Sequence, residues 1–353
     1  MDQTKYYDIV VIGSGPAGAI FCKFIDSKKY RVLLLDGAGR KEKTCGGLLA
    51  PSAQRFLAHY NISLPKDIMV SPQSFYVKTI DLDANRAVNY PRNYLNINRK
   101  KFDDFLLSMI PKSIDVVKSR CHNIQKLDEG FKLDTDQGTV TCKYVVGADG
   151  AQSITRQLLF KHKRIHRYIA IQQWFKAPDI KPFYACIFDS ETSPACSWIC
   201  FKDDLLMFGG AFNSKNCGES FKLQKEKLIK SGYIAKEAFD TPIKTEACQL
   251  NYPKLSYGLY QGNDGAFLIG EAGGFVNACS FEGIHFAMST GEALAKAMNG
   301  CDDKKQILRR YKKNSKIIRF KIYKQVFKSP VMYNKYIRKL FMKSGIQQIH
   351  VTD

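Results

Sequence analysis

The chain has 353 residues, of which 45% are apolar and 25% charged, a composition that excludes extended disorder and fits one large fold or two interlocked ones. Its longest mainly apolar stretch, residues 9–22, contains three glycines and a proline and falls short of the roughly 18–20 residues that cross a bilayer. Asp2 and Asp8 flank a single Lys5 with no small-residue cleavage site after them, which argues against a secretory signal. The formal net charge is +21, from 54 Lys and Arg against 33 Asp and Glu. An excess of this size attracts polyanions such as nucleic acid, acidic phospholipid or phosphorylated substrates; plain solubility would need no partner.

Residues 7–12 form a short β-branched apolar run, as a buried parallel strand requires. A glycine-rich turn follows, and Ala19, Ile20, Phe24 and Ile25 recur at helical spacing within 17–27. Residues 31–35 read as a second strand, closed by Asp36 and Gly37. Residues 74–90 then alternate like exposed strands, 94–97 lead into a helix from Arg99, and 115–138 read as strands turning at Asp128-Glu129-Gly130. Residues 144–147 form another buried strand. Several strand-like runs between 168 and 210 suggest an antiparallel sheet inserted into an α/β domain. A helix over 221–231, a buried strand over 266–269 and a helix over 283–298 complete the order. No internal repeat or low-complexity linker marks off separable domains.

The eleven cysteines show no C-x-x-C pair and no zinc-ligand spacing, so no metal site is expected. Cys196 and Cys200, four apart on a presumed strand, would lie about 13 Å from each other, too far for a disulfide. Reduced thiols in a cytoplasmic protein are the natural reading.

The strongest motif is Gly13-Ser14-Gly15-Pro16-Ala17-Gly18. It follows a strand, opens a helix and has Asp36 at the end of the next strand. Gly13 suits the tight turn, Gly15 a close approach of backbone to pyrophosphate, and Gly18 close helix–strand packing. The helix N-terminus offers free N–H groups to phosphate, and Asp36 can accept ribose hydroxyls. Two later strand–turn segments, 145–153 with Asp149-Gly150 and 267–275 with Gly270-Glu271, favour FAD over NAD. No second strand–glycine turn–helix unit exists to hold NAD(P) stably.

Together with Thr44-Cys45-Gly46-Gly47-Leu48-Leu49-Ala50-Pro51, Asn96-Ile97-Asn98-Arg99, Ala170-Ile171-Gln172-Gln173-Trp174-Phe175 and Leu268-Ile269-Gly270-Glu271-Ala272, these motifs resemble flavoproteins of the p-hydroxybenzoate-hydroxylase fold. Over the whole chain they resemble more narrowly the geranylgeranyl-reductase-like branch, and within it the bacterial proteins linked to colicin M resistance. The resemblance implies an α/β fold. An FAD-binding Rossmann-like domain over 1–72, 96–165 and 256–300 would carry an inserted antiparallel-sheet substrate domain over 73–95 and 166–255, with a basic helical segment over 301–353. It also implies roles: Asp149 and Gly150 near the FAD pyrophosphate, Gly270 and Glu271 near the ribityl chain (Glu271 replaces the family's Asp), Gly283 and Ile284 at a helix start facing the flavin pyrimidine ring, and Arg99 on the phosphates. Gly46 and Gly47 would permit close approach to the flavin, with Cys45 either a catalytic proton donor or a small apolar filler. Trp174 and Trp198 would line the substrate cavity or pack in the core, and His285, just after the helix start, would either lie near the flavin or be a packed or half-exposed histidine. Residues 198–202 lack the second tryptophan and the proline of the halogenase motif, so halogenation is not expected.

The implied activity is a FAD-dependent oxidoreductase that reduces alkene bonds of an isoprenoid or other hydrophobic substrate, such as a polyprenyl phosphate, by hydride transfer from reduced flavin. NAD(P)H or a separate donor would supply electrons transiently. A FAD-dependent monooxygenase acting on a hydrophobic or aromatic metabolite, and a flavin-containing binding or resistance protein without turnover, stay open.

From Cys301 onward fifteen Lys or Arg accompany three Asp. Ile307, Tyr311, Ile318 and Ile322 fall on one helical stripe. Such a segment either packs on the body with a solvated basic face or lies peripherally on an anionic membrane; nucleic acid is not expected, because no stacking platform accompanies the charge.

Overall fold

The computed structural model describes residues 5–37, 44–177, 179–255 and 257–351. In chain order the strands are β1 (Lys5–Ile12), β2 (Val32–Asp36), β3 (Leu48–Leu49), β4 (Tyr76–Asp81), β5 (Arg86–Pro91), β6 (Leu95–Asn96), β7 (Asp115–Lys118), β8 (Cys121–Lys126), β9 (Phe131–Thr135), β10 (Gly138–Gly147), β11 (His166–Lys176), β12 (Ala185–Phe188), β13 (Ser197–Lys202), β14 (Leu205–Phe212), β15 (Lys244–Tyr252), β16 (Gly262–Asn263) and β17 (Ala266–Leu268). The helices are α1 (Pro16–Phe24), α2 (Pro51–His59), α3 (Arg99–Ser108), α4 (Ile154–Leu159), α5 (Cys217–Lys230), α6 (Ile284–Asn299), α7 (Lys304–Asn314), α8 (Lys316–Tyr333) and α9 (Lys335–Lys343).

The chain divides into two compact units, 1–42 with 100–166 and 251–324, and 43–99 with 167–250 and 325–353. These bounds differ from the expected ones. Residues 43–72 group with the sheet domain rather than the dinucleotide domain, and the basic segment is shared between the units instead of standing apart. The chain passes from one unit to the other five times, which explains why no linker composition marks the boundary.

The first unit is built on a sheet of order β16-β17-β10-β1-β2-β7, with β8 and β9 continuing from β10. The central pairs β17/β10, β10/β1, β1/β2 and β2/β7 are parallel. Both faces are covered, so the strands read as unbroken apolar runs. Ile9, Val11, Leu34 and Val146 face a layer containing Phe21, Leu294, Ile307 and Tyr311, while Val10, Leu33, Leu35 and Val145 face Ile124, Leu133 and Phe160. Helix α1 is shorter than its spacing predicts. Asp26 captures the backbone N–H groups of Lys28 and Lys29 and turns the chain away.

The second unit carries a seven-stranded sheet of order β15-β11-β14-β13-β12-β4-β5. Register places Ile199, Leu206 and Phe208 on one face with Phe221 and Leu228 of α5, and puts Gln172, Trp174, Trp198, Met207 and Gly209 on the other. Helix α9 is fixed to β4 by charge: Arg338 donates from Nε to Asp81 Oδ2 at 2.8 Å and from Nη2 to Asp83 Oδ2 at 2.6 Å. Asp81 is fully buried and Arg338 is 7% exposed. Arg338→Met would strand the Asp81 carboxylate in the interior and should cost about 3–5 kcal/mol of stability, read as a fall in the urea midpoint; an unchanged midpoint would contradict this anchoring.

Candidate functional site

In the first unit the strand order reverses at β1, since the chain runs to β2 and β7 on one side and later to β10 and β17 on the other. Ligands of open α/β sheets bind outside the carboxyl ends of the strands at such a switch. The turns leaving β1 and β10 meet there. A Cβ on Gly13 (φ 102°) would come within 2.6 Å of the Ala148 carbonyl oxygen, and one on Gly18 within 2.0 Å of the Gly13 carbonyl oxygen. Both positions are closed to any side chain. Gly15 is different, because a Cβ there would find nothing within 4 Å. Gly15 caps α1 with no side-chain hydrogen bond, Pro16 stands at the helix start, and the first turn holds no acid. The leading N–H groups of α1 therefore point past an open glycine with their partial positive charge uncompensated. This cradle fits a pyrophosphate.

The acids stand around it. Asp36, last residue of β2, accepts from the Ser14 hydroxyl, and Gly37 follows it on the surface. Asp149, in the turn after β10, accepts at Oδ2 from the Thr155 backbone N–H at 3.0 Å and its hydroxyl at 3.1 Å, while Oδ1 is buried with no hydrogen-bond partner. Burial pushes this carboxyl above the usual range. Gly150 is left-handed (φ 71°). Gly270 (φ 56°) donates its N–H to Thr290, and Glu271 Oε1 accepts from the Asn251 N–H at 3.1 Å. The longer carboxylate is thus held by its own unit. Arg156 is buried and donates to the carbonyls of Lys163, Ala272 and Gly258, which gives it a structural role. Helix α6 repeats the pattern of α1: Gly283 caps it without a side-chain bond, no acid lies in the first turn, and Ile284 is its first residue. The left-handed Phe281 (φ 55°) brings the chain into that start. His285 is half-buried and lies 3.4 Å from the Ser289 hydroxyl.

In the second unit the Cys45-Gly46-Gly47 loop rests on a buried lysine that belongs to none of the sequence motifs. Lys202 is 7% exposed and donates to the carbonyls of Gly47 and Ile97, each at 3.0 Å, and to the Asn96 side chain. Burial pulls its ammonium below the usual lysine range. Gly47 is left-handed (φ 59°), and a Cβ on it would meet Lys202 Nζ at 2.6 Å. The Cys200 thiol donates to the Gly46 carbonyl at 3.8 Å. Strand alternation along β13 places Trp198, Cys200 and Lys202 on one face, so this signal was present in the sequence. Cys45 is half-buried, with its sulfur 3.4 Å from the Gly47 N–H. Arg99 is the first residue of α3 and half-buried, and the boundary between the two units falls between it and Lys100.

The two tryptophans hold distinct places on the sheet. Trp198 lies against Gly209, whose Cβ would meet its ring at 2.7 Å. Trp174 Nε1 donates to Glu246 Oε2 at 2.8 Å, and Gln172 Nε2 donates to the same oxygen at 2.6 Å. Hydrogen bonds from Lys244, Gln172 and Trp174 outweigh burial and keep the Glu246 carboxyl below its usual range. An apolar cleft nearby is bordered by Leu48, Pro72, Tyr94, Phe183, Tyr184 and Cys200, and by neither tryptophan.

The sequence pattern of the pyridine nucleotide-disulphide oxidoreductases matches residues 7–160. Among solved structures, a geranylgeranyl bacteriochlorophyll reductase-like protein from Thermoplasma acidophilum superposes with a TM-score of 0.79 at 17% identity, covering 99% of this chain and 93% of the other. PqsL from Pseudomonas aeruginosa, a probable FAD-dependent monooxygenase, superposes with a TM-score of 0.68 at 14% identity, covering 96% and 100%. The fold is the one shared by FAD-dependent oxidoreductases and monooxygenases. Within that class, Protein CbrA of Escherichia coli O6:H1 is 37% identical over 98% of this chain and 95% of its own length, and CbrA of strain K12 is 36% identical over 98% of each. The chain belongs to the CbrA family.

All eleven cysteines are free thiols. Burial pushes Cys121 and Cys142 up to about 12, and Cys200 up to about 11 despite the nearby Lys202. Their thiolates form only above the range where an ordinary cysteine ionises. At pH 8 the native protein should therefore alkylate at these three positions at least about 100-fold more slowly than the unfolded chain, read peptide by peptide in the mass spectrometer. Labelling of any of them at the unfolded rate would contradict the burial described.

Proposed function

We propose that this chain binds FAD and acts as an oxidoreductase of the geranylgeranyl-reductase type on a hydrophobic, isoprenoid-like substrate. The observation that carries the cofactor assignment is the start of α1, where two glycines are sterically obligatory, the third is open, and the helix N-terminus has no capping group of its own. Gly13, Ser14, Gly15, Pro16, Ala17 and Gly18 would hold the pyrophosphate, and Asp36 would take the ribose hydroxyls with its position fixed by Ser14. Gly283 and Ile284 would direct the N–H groups of α6 at the ring, where a helix N-terminus favours negative charge.

Bound and reduced, FAD supplies a hydride equivalent to a carbon–carbon double bond. The remaining work belongs to the protein. Lys202 holds the Gly46-Gly47 loop in place, Cys45 on that loop would deliver the proton that completes the reduction, and an apolar cleft would exclude water from the alkene. Electrons would come from NAD(P)H docked transiently or from a separate donor. The basic surface suits a polyprenyl phosphate, whose head needs cations and whose tail needs apolar walls.

Gly15→Asp separates cofactor binding from folding. No neighbour obstructs a side chain there, and an aspartate is a favourable helix cap, so apoprotein stability should hold or rise by about 0.5–1 kcal/mol. The same carboxylate would repel the pyrophosphate. Wild-type protein should be yellow or take up added FAD, with the variant's affinity at least 100-fold weaker by fluorescence titration; colourless wild-type protein that ignores FAD overturns the assignment. For the reaction, wild-type protein reduced with dithionite should add two hydrogens to a polyprenyl phosphate. Cys45→Ala should lower that rate by about 10²–10⁴-fold, the range for loss of a general acid. Oxygen uptake with incorporation of labelled oxygen into product would instead mark a monooxygenase, and bound FAD that no donor reduces would mark a binding protein without turnover.

A further inference from the structure

The apolar stripe foreseen in the C-terminal segment is in the core. Ile307, Tyr311, Ile318 and Ile322 are all buried, and the chain breaks between α7 and α8 at Ser315, whose hydroxyl donates to the Tyr311 carbonyl. What the stripe does not account for is the opposite side of α8. Ile317, Phe320, Phe327 and Val331 recur at spacings of three, seven and four, which at 100° per residue puts them within one quadrant. They are 68%, 68%, 65% and 49% exposed. Ile318, Ile322 and Val326 hold the other side of the helix, so α8 is apolar along two opposed lines. Between and beside the exposed residues stand Lys316, Lys321, Lys324 and Lys328, all at the surface. Helix α9 adds Tyr336 and Leu340, 68% and 69% exposed, beside Lys335, Lys339 and Lys343. The buried Arg338 and Met342 fix α9 from its other side, so these apolar groups cannot be buried by turning the helix.

We infer that the outward stripe of α8, with the exposed face of α9, docks the protein on an anionic lipid bilayer. An exposed apolar line of this length marks a contact surface. Its charge selects the occupant. Residues 316–343 carry nine Lys or Arg and no acid. A second copy of this chain would bring like charge against like, whereas an acidic headgroup layer supplies the complement. The geometry suits an interfacial helix: Phe and Ile reach below the headgroups while the flanking lysines extend back to the phosphates. No helix among the described residues is long and apolar enough to span a membrane, so docking is peripheral. It does not depend on what the cradle of the first unit holds.

The test is flotation of the full chain, as purified, with phosphatidylcholine vesicles that contain or lack phosphatidylglycerol. Binding is expected only with phosphatidylglycerol and should weaken as salt is raised. Phe320→Ser with Phe327→Ser should lower the partition coefficient at least tenfold. Lys324→Gln with Lys328→Gln should lower it by a comparable factor. All four side chains are at the surface, and an unchanged melting temperature and circular dichroism spectrum would show that the variants fold. No binding to phosphatidylglycerol vesicles overturns the inference. So does full binding by the phenylalanine pair, which would reduce the contact to charge alone. A wild-type dimer that the phenylalanine variants dissociate would assign the stripe to a second copy instead and would likewise overturn it.

Discussion

The first unit depends on one close approach, that of the turn leaving β1 to the turn leaving β10. Parallel pairing sets the two strand ends side by side, from Lys5 opposite Val140 to Ile12 opposite Gly147, and the Ala148 N–H then bonds to the Ile12 carbonyl at 2.8 Å. Only a residue without Cβ can turn at position 13 against Ala148, and only another can sit at position 18 against the carbonyl of Gly13. Because both are met, α1 starts directly above the switch in strand order with its N–H groups free. The open, uncapped helix start is thus a by-product of packing. The same sterics that forbid side chains at two glycines leave the third facing open space.

The second unit is organised around the opposite charge problem. Lys202 lies in the interior, where desolvation opposes its ammonium, and that ammonium donates to two backbone carbonyls and one side-chain amide oxygen. A lysine is rarely buried without such a purpose. Here it ties together three points distant in sequence: the Gly46-Gly47 loop, the β6 residue Asn96 and strand β13. The left-handed backbone of Gly47 admits the ammonium where a Cβ would displace it. Loop position and buried charge therefore constrain each other, and the loop that presents Cys45 is held by the sheet.

Much of this architecture was legible in the sequence. Fully buried parallel strands have no alternation to hide, so β1, β2, β10 and β17 were visible as short apolar runs, and the glycine turn identified itself by what flanks it. The sheet strands β11 to β14 were also apparent from their spacing and aromatic content. What the sequence did not yield were contacts whose partners lie far apart along the chain. Arg338 pairs with Asp81 across 257 positions and Lys202 with Asn96 across 106. Neither pair has a local signature, because a lone basic residue in a lysine-rich chain looks like surface. Strand β15 lacks a local signature for a related reason: nothing in Lys244-Thr245-Glu246 itself marks the Trp174 and Gln172 side chains that hold the carboxylate.

The C-terminal helices show how a periodicity argument can be correct and incomplete. Four apolar residues at helical spacing do face one way, and they are core. The remaining apolar residues of α8 form a second line on the opposite side, so an average over the helix cancels and the segment reads as merely basic. Core packing accounts for a helix with one apolar face. A helix whose other face is apolar as well, in a chain of this charge, has a second environment to satisfy, and the lysines along that face restrict what the environment can be.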